Sequence, residues 1–314
     1  EGYRFRVVGS LRKIFGDPGV KRILTLMLPA TIGLAATQVN IFVNTYFATT
    51  IPSAVSWLNY AFRLMQLPLG LFGVAVAAAT LPAISRHVAE GQAGEFRQTL
   101  QHSLRLVFAI NVPASIGLAV LGVPIIRIIF EHGRFLPADT DATAAALAFY
   151  AIGLFAYSGV KVLVPAFYAL GRTRAPVTIS VLSVGINVAL NIALIGPMGY
   201  RGLALATSLA SLLNFLLLVV FIRRAAGDIG SAGLLSALVR VAVASVAMGI
   251  AAAGVHRWAE GLLGSATLGA QAASLAAAIA AGIGVLLVAG RLLRVREIEA
   301  ALGTLLRPFR RPGR

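Results

Sequence analysis

The sequence contains no cysteine and few acidic residues. Its 314 residues include 11 Asp and Glu, 4 His and no Cys. Without thiols the chain cannot form a disulfide bond or a cysteine-ligated metal site. Charged residues account for 12% of the total, roughly half of the fraction usual in soluble domains. This shortage of charge excludes an ordinary water-soluble protein.

Apolar residues make up 58% of the chain and are concentrated in long runs. A helix needs about 20 apolar residues to cross the hydrocarbon core of a bilayer. Together the runs predict an all-α fold, a polytopic transmembrane helical bundle of about eight spans. The eight stretches lie at roughly 23–48, 56–85, 104–130, 141–170, 176–196, 201–222, 234–255 and 268–290.

Acidic residues and histidines are absent from the interiors of these predicted spans. All 11 acids lie outside the spans or at their ends, and the 4 histidines lie in loops or at span edges. A general base or a proton relay within the membrane therefore has no candidate. No nucleotide-binding, hydrolase or metalloprotease motif occurs either. The sequence predicts a protein that is not an enzyme, with no catalytic residue, no resident metal and no organic cofactor.

Basic residues are distributed unevenly between the two ends of the predicted spans. With the N-terminus placed in the cytoplasm, 21 of the 27 Lys and Arg fall on the cytoplasmic side and four on the opposite side. Cytoplasmic loops are usually the richer in Lys and Arg, so both termini are expected in the cytoplasm. The net charge of +16 comes from these loops, and nucleic acid is not an expected partner.

Short sequence patterns predict further local features of the helices and loops. The polar stretch 89–102 predicts a surface helix, whereas Gly196–Pro197 and the Gly171–Arg174 loop predict tight turns. Proline within a span removes a backbone donor and can kink the helix. Prolines of this kind are Pro29, Pro68, Pro113 and Pro165.

Two basic side chains lie inside predicted spans. Arg63 is about two turns into the second span, and Lys161 lies within the fourth. An arginine at bilayer depth costs about 2.5–3.5 kcal/mol on insertion scales, so it usually faces a polar cavity. The alternatives for either side chain are that it extends to the interface or pairs with an acid. A cavity-facing Arg63 could bind phosphate with two parallel hydrogen bonds.

Several spans also carry amide and hydroxyl side chains. Asn187 and Asn191 are four residues apart and therefore share one helix face. Hydrogen bonding between helices is one role for such residues, and an ion site is the other. Both remain open at this stage.

Longer stretches of the sequence resemble one known family. The runs 56–75 and 80–87, with Phe130–Phe135, Lys161–Tyr168 and Asn191–Pro197, are similar to the MurJ (MviN) lipid II flippases of the MOP exporter superfamily. The resemblance covers about residues 20–225, with the elements in the same order. It implies that the chain corresponds to the last eight of the family's fourteen spans.

The resemblance also implies a division of the chain. Residues 1–22 would form a basic cytoplasmic segment, and 23–223 would form a six-span, MOP-exporter-like C-terminal lobe. The two extra C-terminal helices within 224–290 would line a groove for the lipid tail, and 291–314 would form a basic cytoplasmic tail. The first six spans of the family would lie outside this chain.

The implied function is the flipping of lipid II, an undecaprenyl-diphosphate-linked peptidoglycan precursor, across the bacterial inner membrane by alternating access. Arg63 falls on a cavity arginine of the family that is expected to bind diphosphate, and Gln66, Asn59 and Lys161 are further candidate substrate-binding residues. Gln66 stands where some relatives carry Glu, which leaves Arg63 without that local counter-charge. Membrane lipid and cell-wall synthesis proteins are the other implied partners.

Some relatives also bind sodium at positions that match Asn44, Asn187, Asn191 and Thr207. None of these four residues is a carboxylate, and hard cations prefer charged oxygen ligands. Any sodium affinity is therefore expected to be weak. Coupling to the membrane potential is an alternative driving force, since each elementary charge moved gains about 2.3 kcal/mol per 100 mV.

Three other functions remain open on the sequence alone. The chain could export another polyprenyl-linked saccharide, or it could be a MATE-like multidrug or solute antiporter of the same superfamily. An antiporter of cations would be expected to place acids within its spans. A non-transporting scaffold for cell-wall enzymes is the third alternative.

Overall fold

A computed structural model describes residues 38–265 and 267–295, together with the single positions 20, 31 and 35. No β-strand occurs among these residues, and the all-α prediction is confirmed. Seven helices in the described part are long and apolar enough to cross a membrane. They correspond to the second through eighth predicted spans. The first predicted span, 23–48, falls mainly outside the described residues, and its end at 38–48 is helical.

Each helix is named here in chain order after the helical segment 38–48. The bounds are α1 (Ala54–Pro68), α2 (Val74–Ala89), α3 (Ala93–Val120), α4 (Gly122–Phe130), α5 (Pro137–Ala169), α6 (Arg174–Met198), α7 (Tyr200–Ala226), α8 (Ser231–Leu263) and α9 (Leu268–Leu292).

The second span is continuous over Ala54–Ala89 but changes its helical form near the middle. A π-helical turn, Leu69–Gly73, directly follows Pro68 and joins α1 to α2. Proline has no N–H to donate, so the usual backbone ladder is interrupted at this point. The expected disturbance at Pro68 is therefore present as a π-turn. Pro113 and Pro165, by contrast, lie within the unbroken α3 and α5.

The third span differs from its prediction at both ends. The stretch 89–102 is not a separate surface helix, because α3 begins at Ala93 and continues to Val120 without a break. Phe96, Leu100 and Leu104 are all buried, and their spacing of four keeps one apolar face packed against the bundle from the first turn onward. The predicted stretch 104–130 is in turn divided at Leu121, after which the short α4 begins.

The two predicted turns have different outcomes. The turn at Gly171 is present, and its φ of +69° is a value that favours glycine. The turn predicted at Gly196–Pro197 is wrong, because α6 continues to Met198. The chain reverses instead at Gly199, where φ is +60°.

α5 lies at the centre of the bundle and packs against α1, α3 and α7. Three aromatic rings join these helices: Phe108 of α3, Phe155 of α5 and Phe215 of α7 pack edge to face, with centroids 5.8–6.3 Å apart. α8 and α9 pack on each other, and α8 also packs on α3. The final helix pair is thereby attached to the bundle mainly through α3, with a smaller contact between α9 and α4.

Candidate functional site

A polar cavity of about 460 Å³ lies between the helical segment 38–48 and the helices α1, α5, α6 and α7. Amide and ammonium groups from all five elements reach its wall. They belong to Asn40, Asn44, Asn59, Gln66, Lys161, Asn187 and Asn214. Hydroxyl groups from Ser183 and Thr207 add to this surface. A wall that combines these groups with apolar side chains such as Leu58 and Phe62 can surround a polar headgroup within membrane-spanning helices.

Three of the four predicted substrate-binding residues line the cavity. Asn59 and Gln66 reach it from α1, and Lys161 reaches it from α5. Asn59 donates its side-chain Nδ2–H to the carbonyl oxygen of Val55 at 2.7 Å. The structure therefore brings these three residues together, while their role in binding stays a prediction.

Arg63 is exposed and is not one of the residues that line the cavity. It stands four residues after Asn59 and three before Gln66, and all three are exposed on one face of α1. No carboxylate among the described residues forms an ion pair with Arg63. The guanidinium thus shares a helix face with two cavity residues and keeps its hydrogen-bond donors available to a ligand.

The four residues matched to an ion site also meet in space. The Asn191 Nδ2 donates to Asn44 Oδ1 at 2.6 Å and to Asn187 Oδ1 at 3.1 Å. Asn44 in turn donates its Nδ2–H to Thr207 Oγ1 at 3.5 Å and to Asn40 Oδ1 at 2.8 Å. Asn187 and Asn191 are fully buried. These contacts connect segment 38–48 with α6 and α7, which is the interhelical hydrogen bonding that was one of the two open roles.

A second polar cluster, missed by the sequence reasoning, lies at the ends of the helices on the opposite face from the basic loops. Arg127 of α4 contacts Glu260 of α8 at 3.4 Å and Glu131 at 3.8 Å. Thr140 donates its hydroxyl to Glu131 at 2.6 Å. Nearby, Trp57 donates its indole N–H to Asp139 at 2.7 Å. No sequence signal links Arg127 to Glu260, because 133 positions separate them.

The loop between α7 and α8 holds the one acid near the basic face whose pKa is clearly shifted among the described residues. The backbone N–H of Ser231 donates to Asp228 Oδ1 at 3.2 Å. This hydrogen bond, assisted by Arg223 at 3.5 Å, lowers the pKa of the Asp228 carboxyl below its ordinary value. The carboxylate therefore stabilises the start of α8 while it is ionised.

Seven helices of membrane-spanning length in the described part of the chain define it as a multi-pass membrane protein. Its sequence matches the family model described as lipid II flippase MurJ over residues 2–271. The chain belongs to the MurJ lipid II flippase family. The resemblance carried by the runs around Arg63 and Lys161 is thereby confirmed.

Curated relatives agree with this assignment. A protein of Vibrio cholerae, described as a probable lipid II flippase MurJ, is 37% identical over 203 residues, which cover 64% of this chain and 39% of the relative. A protein of Haemophilus influenzae with the same description is 34% identical over 257 residues, covering 78% of this chain and 50% of the relative. The chain therefore spans about half of the length of the curated relatives that it matches.

Solved structures support the fold. A lipid II flippase MurJ in an inward closed conformation superposes with a TM-score of 0.71 at 24% identity, covering 89% of this chain and 56% of that one. An outward-facing MATE-family multidrug resistance transporter of the MOP superfamily superposes with a TM-score of 0.59 at 18% identity, covering 89% and 66%. At these identities the likeness shows a common MOP-type fold and nothing about substrate.

Proposed function

We propose that this protein flips lipid II across the bacterial inner membrane by alternating access. The observation that supports this proposal most directly is the cavity of about 460 Å³ between span-length helices. The basic Lys161 and the amides of Asn59 and Gln66 lie on its wall. Membership of the MurJ family supplies the substrate class. This chain spans about half of the length of its curated relatives, so the activity of the whole protein is inferred from this site and from the family.

The charge of the site matches a diphosphate-linked substrate. Every described acid lies in a loop or within five residues of a helix end, so no described carboxylate in the middle of a span competes for the cations. Arg63 presents a planar fork that can bind two phosphate oxygens at once. Lys161, on the facing α5, supplies a flexible point charge. The cost of placing either cation at membrane depth is offset when an anionic headgroup binds to it.

Alternating access requires helices that can change their relative positions. The π-turn Leu69–Gly73 lies in the same span as Arg63, and such turns weaken the regular backbone ladder. Bending there would move the Arg63 face of α1 relative to α2. The helix pair α8 and α9, within the predicted 224–290 unit, would hold the polyprenyl tail along its exposed apolar surface, which includes Val243, Ile250 and Val288.

The proposal also includes the location and the membrane orientation of the protein. The excess of basic residues at one end of the spans supports both termini, including the predicted segments 1–22 and 291–314, in the cytoplasm. The predicted lobe 23–223 would form half of the transport pathway. Lipid II is the substrate partner, membrane lipid surrounds the helices, and cell-wall synthesis proteins are further candidate partners.

Depletion of the protein tests the substrate. Accumulation of lipid II on the cytoplasmic face supports the proposal, whereas accumulation of a different polyprenyl-linked saccharide would favour the rival exporter function. The MATE-like fold of a multidrug transporter keeps a solute antiporter as the second candidate. That function predicts drug sensitivity on depletion with no effect on lipid II.

A further inference from the structure

The buried amides between segment 38–48, α6 and α7 lead to an inference about ion dependence that does not rest on the proposed substrate. Sodium bound there would need several oxygen atoms directed at one point, with at least some negative charge. Asn44, Asn187, Asn191 and Thr207 carry no formal charge. A buried cation among neutral groups would be poorly compensated.

The oxygen atoms of the cluster are also engaged already. Asn44 Oδ1 and Asn187 Oδ1 both accept hydrogen bonds from the Asn191 Nδ2, at 2.6 and 3.1 Å. Thr207 donates its own hydroxyl to the Leu203 carbonyl oxygen at 2.8 Å. Asn191 Oδ1 is left without a hydrogen-bond partner among the described residues. A sodium ion would meet only one free side-chain oxygen, so the residues do not fit a resident cation.

Asn191 takes the central position in this arrangement. Its amide nitrogen lies within hydrogen-bond distance of two oxygens from two different helical elements. A cation performs the same task by drawing oxygens together. A doubly donating amide achieves it without importing charge into a buried position, and Asn191 and Asn187 are fully buried.

We propose that these four residues form a cation-free clasp, in which the Asn191 amide nitrogen stands where a sodium ion would otherwise gather the oxygens. The clasp holds segment 38–48 against α6 and α7 in any monovalent salt. Rotating the Asn191 amide by half a turn would direct its oxygen at two other oxygens, which is unfavourable without a cation between them. A carboxylate at position 191 supplies the missing charge and removes the bridging donor. A carboxylate at position 44 supplies the charge but keeps the Asn191 donor and removes only the Asn44 Nδ2 donor.

The first test uses the unaltered protein purified in detergent. Its thermal unfolding midpoint is measured in sodium chloride and in choline chloride at equal ionic strength, over a hundredfold range of concentration. A bound ion raises the midpoint as its concentration increases. The clasp predicts the same midpoint in both salts at every concentration. A midpoint that rises with sodium alone would overturn the proposal.

The second test introduces a negative charge into the clasp so that it could bind sodium. Asn191→Asp is expected to lower the midpoint in choline chloride and to recover it progressively with sodium. If that variant does not fold, Asn44→Asp replaces it; this variant keeps the Asn191 donor and is expected to show a midpoint that rises with sodium but not with choline. Asn214→Asp is the matched control, since Asn214 lines the same cavity outside the clasp and should gain no sodium response. Folded position-191 and position-44 variants without any sodium response would contradict the placement of the amide at a cation position.

Discussion

A Cβ atom built on Gly153 would stand 2.8 Å from the Cα of Ser208, so α5 and α7 approach each other at backbone distance. Ser208 reinforces the approach by donating its hydroxyl to the carbonyl oxygen of Phe149 at 2.7 Å. Small residues at a crossing are how membrane helices pack closely. The crossing also positions Tyr157 and Asn214, which line the cavity from the same two helices.

Gly153→Ala is therefore expected to destabilise the protein. The added methyl group meets backbone atoms that cannot move independently, and overpacking of this kind costs about 1–3 kcal/mol. The thermal unfolding midpoint should fall. Gly185→Ala on α6 is the control, because its Cβ would meet nothing within 4 Å, and its midpoint should not fall. Equal midpoints for the two variants would show that the close crossing is absent.

The pairing of Arg127 with Glu260 joins α4 to α8 outside the spans. Both side chains are about one-third exposed, so the interaction is expected to contribute less than about 1 kcal/mol. A double-mutant cycle with Arg127→Ala and Glu260→Ala should give a small favourable coupling that shrinks as salt is raised. Arg134→Ala, at an exposed loop position on the same side, should show no coupling to Glu260→Ala.

Asp228 predicts a local response to acid. Since its folded pKa is lowered by the Ser231 backbone hydrogen bond and by Arg223, the stability it contributes is present above its ordinary pKa of 3.8 and is lost as pH falls through the lower folded value. The protection of the first turn of α8 against hydrogen exchange, relative to the intrinsic rate at each pH, should fall over that acidic range. Asp228→Ala removes the acceptor of the Ser231 N–H and should show the low protection already at neutral pH, and full protection in this variant would contradict the role of Asp228 at the start of α8.

The absence of cysteine makes the predicted topology directly testable. His132→Cys lies in the loop after α4, and Thr173→Cys lies in the loop before α6. With both termini in the cytoplasm, a membrane-impermeant thiol reagent should label the first variant in intact cells. It should label the second only after the inner membrane is opened. The reverse pattern would place both termini outside.

Hydropathy predicted the spans well because the thickness of a bilayer sets the length of an apolar helix. Periodicity also placed Asn187 and Asn191 on one face, and the resemblance added Asn44 and Thr207, which the structure brings into contact. These features depend on spacing along the chain or on family likeness. Both can be recognised from the amino-acid sequence alone.

The missed features depend on contacts between distant residues. Nothing in the local sequence shows that Pro68 is followed by a π-turn, or that Phe96 and Leu100 keep α3 packed beyond its apolar stretch. The Gly196–Pro197 signal was misleading because the end of α6 is set two residues later by Gly199. The pairing of Arg127 and Glu260 likewise requires α8 to fold back beside α4.

The central claim concerns Arg63, a cation without a described carboxylate partner on the face of α1 that carries Asn59 and Gln66. Loss of the guanidinium should abolish transport, whereas Arg63→Lys should retain only part of it because an ammonium group cannot form the paired hydrogen bonds. Arg201→Ala is the matched control, since Arg201 is exposed at the start of α7. This variant should transport lipid II normally.

The most direct measurement is lipid II translocation in cells that depend on this protein, with the amount of each variant in the membrane determined in parallel. Arg63→Ala present at the normal level is predicted to leave lipid II on the cytoplasmic face and to stop growth. Normal translocation and growth by that variant at the same level would contradict the account.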